Sequence, residues 1–303
     1  MRVCVFGAGS LGSAVGGILS AKHEVVLVGR RAHMSAIDKH GLVLSGDVRR
    51  TVRVGTSESV KGLSSPELVI VTTKAYDTDS AIAACRAWSS RSTKVLTLQN
   101  GLGNLEKLRA WKHARAFGGT TTMGAQVISP GEVRVSGLGR TVIGGDLDEI
   151  GSETISNAFL SCGLPCEVVR DINSEMLSKA VVSACINPLT AILRVPNGRL
   201  LESDVIMRFL DELCDECVDV CKSSGVGLAS EELITRVLDV VKNTARNRSS
   251  MLQDIENGRR TEIDHINGEF SRLGEKRGVD VPLNRALTAM VGALERNARK
   301  GKG

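Results

Sequence analysis

Aromatic side chains are scarce in this chain, with two Trp, one Tyr and five Phe among 303 residues. That scarcity excludes the stacking platforms that hold single-stranded nucleic acids. It also leaves the core to Leu, Val, Ile, Ala, Met and Cys. Charge of one sign is lacking as well. Lys and Arg number 39 against 34 Asp and Glu, a net charge of +5, which leans toward a small anionic ligand and away from a nucleic-acid surface. Part of the excess lies in the stretch Arg296 to Gly303, which reads as a frayed, solubilising tail. No apolar run is read as reaching membrane-spanning length. No leader is read before the first strand. The expectation is therefore a cytoplasmic protein with neither a membrane nor a nucleic acid as partner.

Eight cysteines are present, but an even count argues for disulfides only in short secreted chains. Cys214 and Cys217 form a CxxC inside an apparent helix, where Ile206, Leu210, Leu213 and Cys221 share their apolar face. No second pair follows at zinc spacing. These cysteines read as core, and no metal site is expected.

The length fits two domains. Residues 2–6 read as a buried strand, followed by a glycine-rich turn and a helix from Leu11 to Ser20. Glu24 to Val28, Leu68 to Thr72 and Lys94 to Leu98 repeat the strand pattern, with a helix from Asp77 to Trp88 between the last two. Strands alternating with helices predict a parallel sheet covered on both faces. Leu42 to Leu44 and Arg50 to Val54 form a β-rich excursion, and the runs from Arg115 to Gly145 are expected to finish the sheet with antiparallel strands. Periods turn helical from Asn173. Ser203 caps one helix, Ser230 opens another, Thr261-Glu262-Ile263-Asp264 resembles a capping-box start, and Val281-Pro282 introduces the last. The boundary is placed so that residues 1–168 form an α/β domain and 169–303 a helical one.

Gly7-Ala8-Gly9-Ser10-Leu11-Gly12 fits G-x-G-x-x-G. The pattern alone is weak, but here it follows a strand and opens a helix, as a dinucleotide-binding turn requires. The helix N-terminus then offers free N–H groups to a pyrophosphate. A glycine-rich turn without a ligand is the alternative. The second strand ends Leu27-Val28-Gly29-Arg30-Arg31. No acid stands there to bond a ribose 2′-hydroxyl, while a guanidinium suits a 2′-phosphate, which favours NADP over NAD. Arginines that merely sit on the surface remain the competing reading. Lys74 and Asn100 follow the next two strands at their carboxyl ends, where open α/β sheets bind ligands. A solvated lysine and an ordinary Asn-Gly turn are the plainer alternatives.

In the helical half, Lys179, Ser183 and Asn187 recur every fourth residue and share one stripe of a helix. Val181, Val182, Cys185 and Ile186 around them are apolar. A lysine there either snorkels to water or is held for its proton, its pKa lowered by burial. Pro188 is expected to kink or end the helix. Ser250 is a candidate carboxylate ligand. Glu262 is a candidate acid in a helical first turn, where the helix dipole also favours one.

At these residues the chain resembles the ketopantoate reductase family (2-dehydropantoate 2-reductases) over nearly its whole length. The likeness runs through Gly7–Gly12, Thr73-Lys74-Ala75, Leu98-Gln99-Asn100-Gly101 and Gly119-Thr120-Thr121-Thr122. It continues through Lys179 to Ala191, Pro196-Asn197-Gly198, Ser249 to Asp254 and Thr261 to Gly268. The resemblance implies a Rossmann-type doubly wound sheet followed by an all-α, 6-phosphogluconate-dehydrogenase-like domain, which could also form a homodimer interface. It implies NADPH-dependent reduction of 2-dehydropantoate to (R)-pantoate, toward pantothenate and coenzyme A. Lys179 would be the general acid. Asn100 would touch nicotinamide and substrate, and Asn187, Asn197 and Ser250 would hold the substrate. Glu262 would bind the nicotinamide end and help organise catalysis. Arg30 would meet the 2′-phosphate, and Lys74 and Ala125 would line the cofactor. Two positions depart from the family pattern. Ser183 replaces a frequent Asn, which leaves the identity of the 2-oxo acid open, and Met123 replaces a frequent His. Another branched 2-oxo acid, or a non-catalytic NADP-binding regulator, are the competing functions.

Overall fold

Alternation decides the first half of the chain. Strand β1 (Arg2–Phe6) sends Val3 and Val5 into one apolar cluster and Cys4 into another. Strand β6 (Leu68–Val71) divides in the same way, with Leu68 and Ile70 on one side and Val69 and Val71 on the other. Strand β7 (Lys94–Thr97) adds Leu96 to the first cluster and Val95 to the second. Strands that bury both faces need a layer on each side. Helices α1 (Ser10–Leu19) and α5 (Glu149–Ser161) supply one layer, and α3 (Thr78–Arg86) and α4 (Asn104–Ala110) the other.

The computed structural model describes all residues except 87, 112–114, 146–147 and 301–303, and the side chain of Lys300. The chain divides into two compact units. The first is Met1–Gln99 with Asn104–Glu175, and the second is Asn100–Gly103 with Met176–Gly303.

The first unit is an eight-stranded sheet in the order β12-β11-β8-β7-β6-β1-β2-β5. Its further strands are β2 (Glu24–Val28), β5 (Gly55–Ser57), β8 (Arg115–Thr121), β11 (Thr141–Gly144) and β12 (Cys166–Val168). Pairing is parallel except between β8 and β11. Helix α2 (Arg31–His40) follows β2. One expectation needs correcting here. The runs after Arg115 do not all finish this sheet. Strands β9 (Gly124–Ser129) and β10 (Glu132–Gly137) join β3 (Leu42–Gly46) and β4 (Arg50–Val52) in a separate sheet, ordered β4-β3-β10-β9. Leu42, Leu44, Val133 and Val135 are buried in the cluster that also contains α1. Helix α1 therefore has apolar partners in both sheets, and from Gly12 to Leu19 it is buried all round.

The second unit is helical. Its long helices are α6 (Ile172–Leu193), α7 (Asp204–Ser223), α8 (Ser230–Asn243), α10 (Asn267–Arg277) and α11 (Pro282–Lys300), with the short α9 (Ser250–Glu256) between α8 and α10. The CxxC cysteines are core, since Cys214, Cys217 and Cys221 are all buried on α7. Burial pushes the Cys221 thiol up to about 12.

Four further expectations change. Pro188 neither ends α6 nor divides it, and five more helical residues follow. The stretch Thr261–Asp264 does not cap a long helix; Ile263–His265 form a single 3-10 turn and α10 begins at Asn267. The basic end is helical through Lys300, and residues 301–303 lie outside the described residues. Finally, α6 is long and apolar enough to cross a membrane by length and composition, contrary to the reading that no run reaches that length. Of its most apolar window 67% is buried, so within this fold it serves as a core helix.

Candidate active site

The turn after β1 is built for close approach. Gly7 has φ +107, and a Cβ there would lie 2.4 Å from the Thr73 nitrogen. A Cβ on Gly12 would lie 2.4 Å from Gly7 O and from Thr72 Oγ1. Thr72 Oγ1 donates to Gly7 O at 2.9 Å, which ties the end of β6 to the turn. Gly9 is different. It is exposed, its φ is −87, and a Cβ would meet nothing nearer than Gly7 O at 3.9 Å. Packing within the protein thus demands glycine at positions 7 and 12 but leaves open space at 9. Gly9 is the N-cap of α1, no side chain caps that end, and the first turn carries no acid. Open space in front of an uncapped helix N-terminus accommodates a phosphate.

Other groups are arranged around this turn. Arg30, exposed, is the N-cap residue of α2, and the neighbouring Arg31 approaches Glu58 at 3.7 Å. Lys74, partly buried, precedes a 3-10 turn at Ala75–Asp77. Ala125 lies on β9, a strand joined to the turn where Val127 N–H donates to Ser10 Oγ at 3.1 Å. Two residues without an assigned role in the sequence reading organise the region. Gln99 Nε2 donates to Thr73 O at 3.1 Å and Thr78 Oγ1 at 2.9 Å, bracing the segment that carries Lys74. His33 Nδ1 accepts from Gly131 N–H at 2.9 Å, so its Nε2 carries the proton and donates to Ser13 Oγ at 3.0 Å. His33 is buried, and that burial lowers its pKa. A polar residue at the end of a buried strand was a legible sign for Gln99; nothing local marked His33.

The second unit assembles a different group. Lys179 Nζ donates to Asn100 Oδ1 at 3.0 Å, across 79 positions of sequence. Burial lowers the Lys179 pKa to about 8, with the nearby Glu262 carboxylate pulling the other way. Glu262 is itself 5% exposed. The Asn100 loop is seated on the turn that follows Glu262. Leu102 N–H donates to His265 O at 2.9 Å, and a Cβ on Gly101 would lie 2.4 Å from that same oxygen. With φ +81 as well, position 101 requires glycine. Three segments distant in sequence thus bring an ammonium, a carboxamide and a carboxylate together. A partly desolvated lysine in such company can polarise a carbonyl and transfer a proton near neutral pH.

The chain is also similar to known proteins over nearly its whole length. Residues 3–146 match the family "Ketopantoate reductase PanE/ApbA", and residues 171–295 match its C-terminal domain family. The chain belongs to the ketopantoate reductase family. It is accordingly an oxidoreductase. A 2-dehydropantoate 2-reductase of Pyrococcus horikoshii is 37% identical over 97% of this chain and 98% of its own length. One from Archaeoglobus fulgidus is 35% identical over 97% and 98%. Among solved structures, a PanE/ApbA family ketopantoate reductase from Ralstonia eutropha is 31% identical with TM-score 0.92, covering 99% of this chain and 100% of that one. A D-mandelate dehydrogenase solved with NADH and anilino(oxo)acetate is 27% identical with TM-score 0.92, covering 98% and 99%.

The remaining residues that resemblance to ketopantoate reductases singled out are all placed in the second unit. Ser183 and Asn187, both partly buried, continue the Lys179 stripe of α6. Asn197 is 7% exposed; its Nδ2 donates to Thr244 Oγ1 at 2.9 Å, while its Oδ1 is buried and makes no hydrogen bond. Ser250 is exposed as the first residue of α9. Its neighbour Ser249 has the structural task. Ser249 Oγ caps α9 by accepting from Leu252 N–H at 3.1 Å, and accepts from Thr190 Oγ1 at 2.7 Å.

Proposed function

We propose that this chain reduces 2-dehydropantoate to (R)-pantoate with NADPH. The observation that carries the reading is the Lys179–Asn100 bond beside Glu262, with Lys179 brought by burial to about 8. The cofactor assignment rests on the open space at Gly9, the uncapped start of α1, and Arg30-Arg31 with no acid after β2. Gly7 to Gly12 would hold the pyrophosphate, Arg30 the 2′-phosphate, and Lys74 and Ala125 would line the site. Asn100 and Glu262 would meet the nicotinamide end.

When bound, NADPH supplies the hydride that reduces the ketone carbon. Lys179 does the rest of the chemistry at the oxygen. Its ammonium stabilises the negative charge that develops there and then gives up a proton. Asn100 Oδ1 holds one Lys179 N–H and so fixes the direction of the others. Glu262 keeps the buried ammonium protonated against the cost of its desolvation. Ser250, Asn187, Asn197 and Ser183 offer hydrogen bonds to the carboxylate and hydroxyl of the substrate.

A second reading, reduction of a different branched 2-oxo acid, is favoured by the structural likeness to D-mandelate dehydrogenase. Steady-state NADPH oxidation with 2-dehydropantoate and a panel of 2-oxo acids, repeated with NADH, separates the two. The highest kcat/KM is expected for 2-dehydropantoate with NADPH. Lys179→Ala is expected to lower turnover by roughly a hundredfold or more; near-normal turnover would remove the mechanism.

A further inference from the structure

Proline has no N–H, so Pro188 cannot give Ala184 O its helical hydrogen bond. Helix α6 nevertheless runs through both residues. The missing donor comes from elsewhere: Asn267 Nδ2 donates to Ala184 O at 3.1 Å. The same amide donates to Asn284 Oδ1 at 3.0 Å. Asn284 Nδ2 in turn donates to Glu216 Oε1 at 2.7 Å, and Glu216 also accepts the N–H groups of Leu283 and Asn284 at 2.9 and 2.8 Å. A polar string therefore crosses the helical unit from α7 through α11 and α10 to α6. Asn267 and Asn284 are both 0% exposed.

Burying two carboxamides is costly unless they are bonded. An alanine at 188 would close the helix with no such help, so helix continuity alone does not account for the arrangement. What Asn267 joins is more informative. It lies at the end of the turn that begins at Glu262, where His265 N–H donates to Glu262 O at 2.9 Å and Ile266 N–H to Ile263 O at 3.2 Å. The other end of that turn is held by Glu295, which accepts from Thr261 N–H at 2.7 Å. On α6, Ala184 adjoins Ser183 and stands between Lys179 and Asn187.

We propose that Asn267 is a positioning residue whose carboxamide, docked in the gap left by Pro188, fixes the Glu262 turn to α6, the helix that carries Lys179. The inference rests on the reading of Lys179 as proton donor. Asn267 acts through Glu262 and Lys179 and touches no substrate.

The test compares wild type, N267A, P188A and the P188A/N267A double variant by kcat/KM across about pH 6 to 10 and by thermal unfolding. Pro188→Ala returns an N–H to Ala184 O, so the double variant has a complete helix without the Asn267 amide. In the double variant the part of the midpoint lost through Ala184 O is expected to return, while the part lost through Asn284 Oδ1, which Pro188→Ala does not supply, and the rate are not. Its kcat/KM should stay on the order of tenfold to a hundredfold below P188A, the scale on which about 1 Å of misplacement costs a reactive geometry. Its high-pH limb should also fall below that of P188A, because Lys179 has lost support from Glu262. A double variant with the rate and limb of P188A overturns the proposal and leaves Asn267 as a helix patch. If N267A fails to fold, the double variant and P188A carry the comparison by themselves. A wild type with no alkaline limb instead removes the acid assignment, and this inference with it.

Discussion

The sharpest consequence of the second-unit geometry is the pH dependence of kcat/KM and its response to Glu262→Gln. Burial takes Lys179 from 10.5 to about 8. That shift amounts to roughly 3 kcal/mol of disfavour for the charged form. A general acid must be protonated before it acts, so kcat/KM should be level at low pH and fall as pH rises through the lysine's value. Near pH 7 about nine-tenths of the lysines carry the proton, and near pH 9 only about one-tenth do. The kcat/KM should therefore drop by about tenfold between those two values. Glu262 is the influence that opposes burial. Removing its charge leaves desolvation unopposed, so in Glu262→Gln the limb should move to lower pH. The loss of activity should then be greater at about pH 8 than at about pH 6. Steady-state kcat/KM for the 2-oxo acid at constant ionic strength reports the limb of the enzyme before substrate binds. A limb near 10 in the wild type, or a limb that Glu262→Gln leaves in place or moves upward, would refute the reasoning.

Four other outcomes follow from the first unit. Gly9→Ala meets no steric conflict and should unfold like the wild type, yet bind NADPH more weakly by fluorescence titration, whereas Gly7→Ala should cost about 1–3 kcal/mol in urea unfolding because its φ is +107 and its Cβ overlaps Thr73. Unchanged NADPH affinity in Gly9→Ala would remove the ligand reading of the turn. Arg30→Ala should raise the KM for NADPH and leave that for NADH nearly unchanged; equal effects on both would assign Arg30 to something other than the 2′-phosphate. His33 has a folded pKa below its unfolded value of 6.5, so its contribution to stability is complete above about pH 6.5 and is lost as pH falls below that. Urea midpoints at about pH 5 and 7.5 should differ less in His33→Gln than in wild type, and an identical difference would show that His33 carries none of the acid sensitivity.

Much of the fold was legible because local patterns and tertiary context agree. The runs at residues 2–6, 24–28, 68–72 and 94–98 all became strands of one sheet, each within a residue of its expected end. Helices α7 and α11 began where Ser203 and Pro282 signalled. The departures have physical causes. Strands β9 and β10 read as ordinary β segments, but pairing partners are chosen by non-local hydrogen bonds, and β10 found β3 some ninety residues away. Pro188 failed to break α6 because Asn267, distant in sequence, supplies the donor that proline lacks. The stretch after Thr261 carried a capping pattern, yet Thr261 bonds Glu295 of α11 and the backbone takes a tight turn.

The candidate site divides along the same line. Gly7, Gly9 and Gly12 were recognisable because the turn is contiguous, and its backbone shape is one that glycine spacing encodes directly. From the residues alone Lys179, Asn100 and Glu262 could be named singly, and only the family resemblance joined them. No sequence period relates positions 100, 179 and 262, and a carboxylate raises a neighbour's proton affinity appreciably only over a few ångströms. The amino-acid order by itself therefore determined the two kinds of secondary structure, the glycine-rich turn and the stripe on α6. Tertiary packing alone decided which polar groups face Lys179, how far water is kept from it, and hence at what pH it holds its proton. Desolvation and Coulomb interaction depend on distance in space and not on distance along the chain.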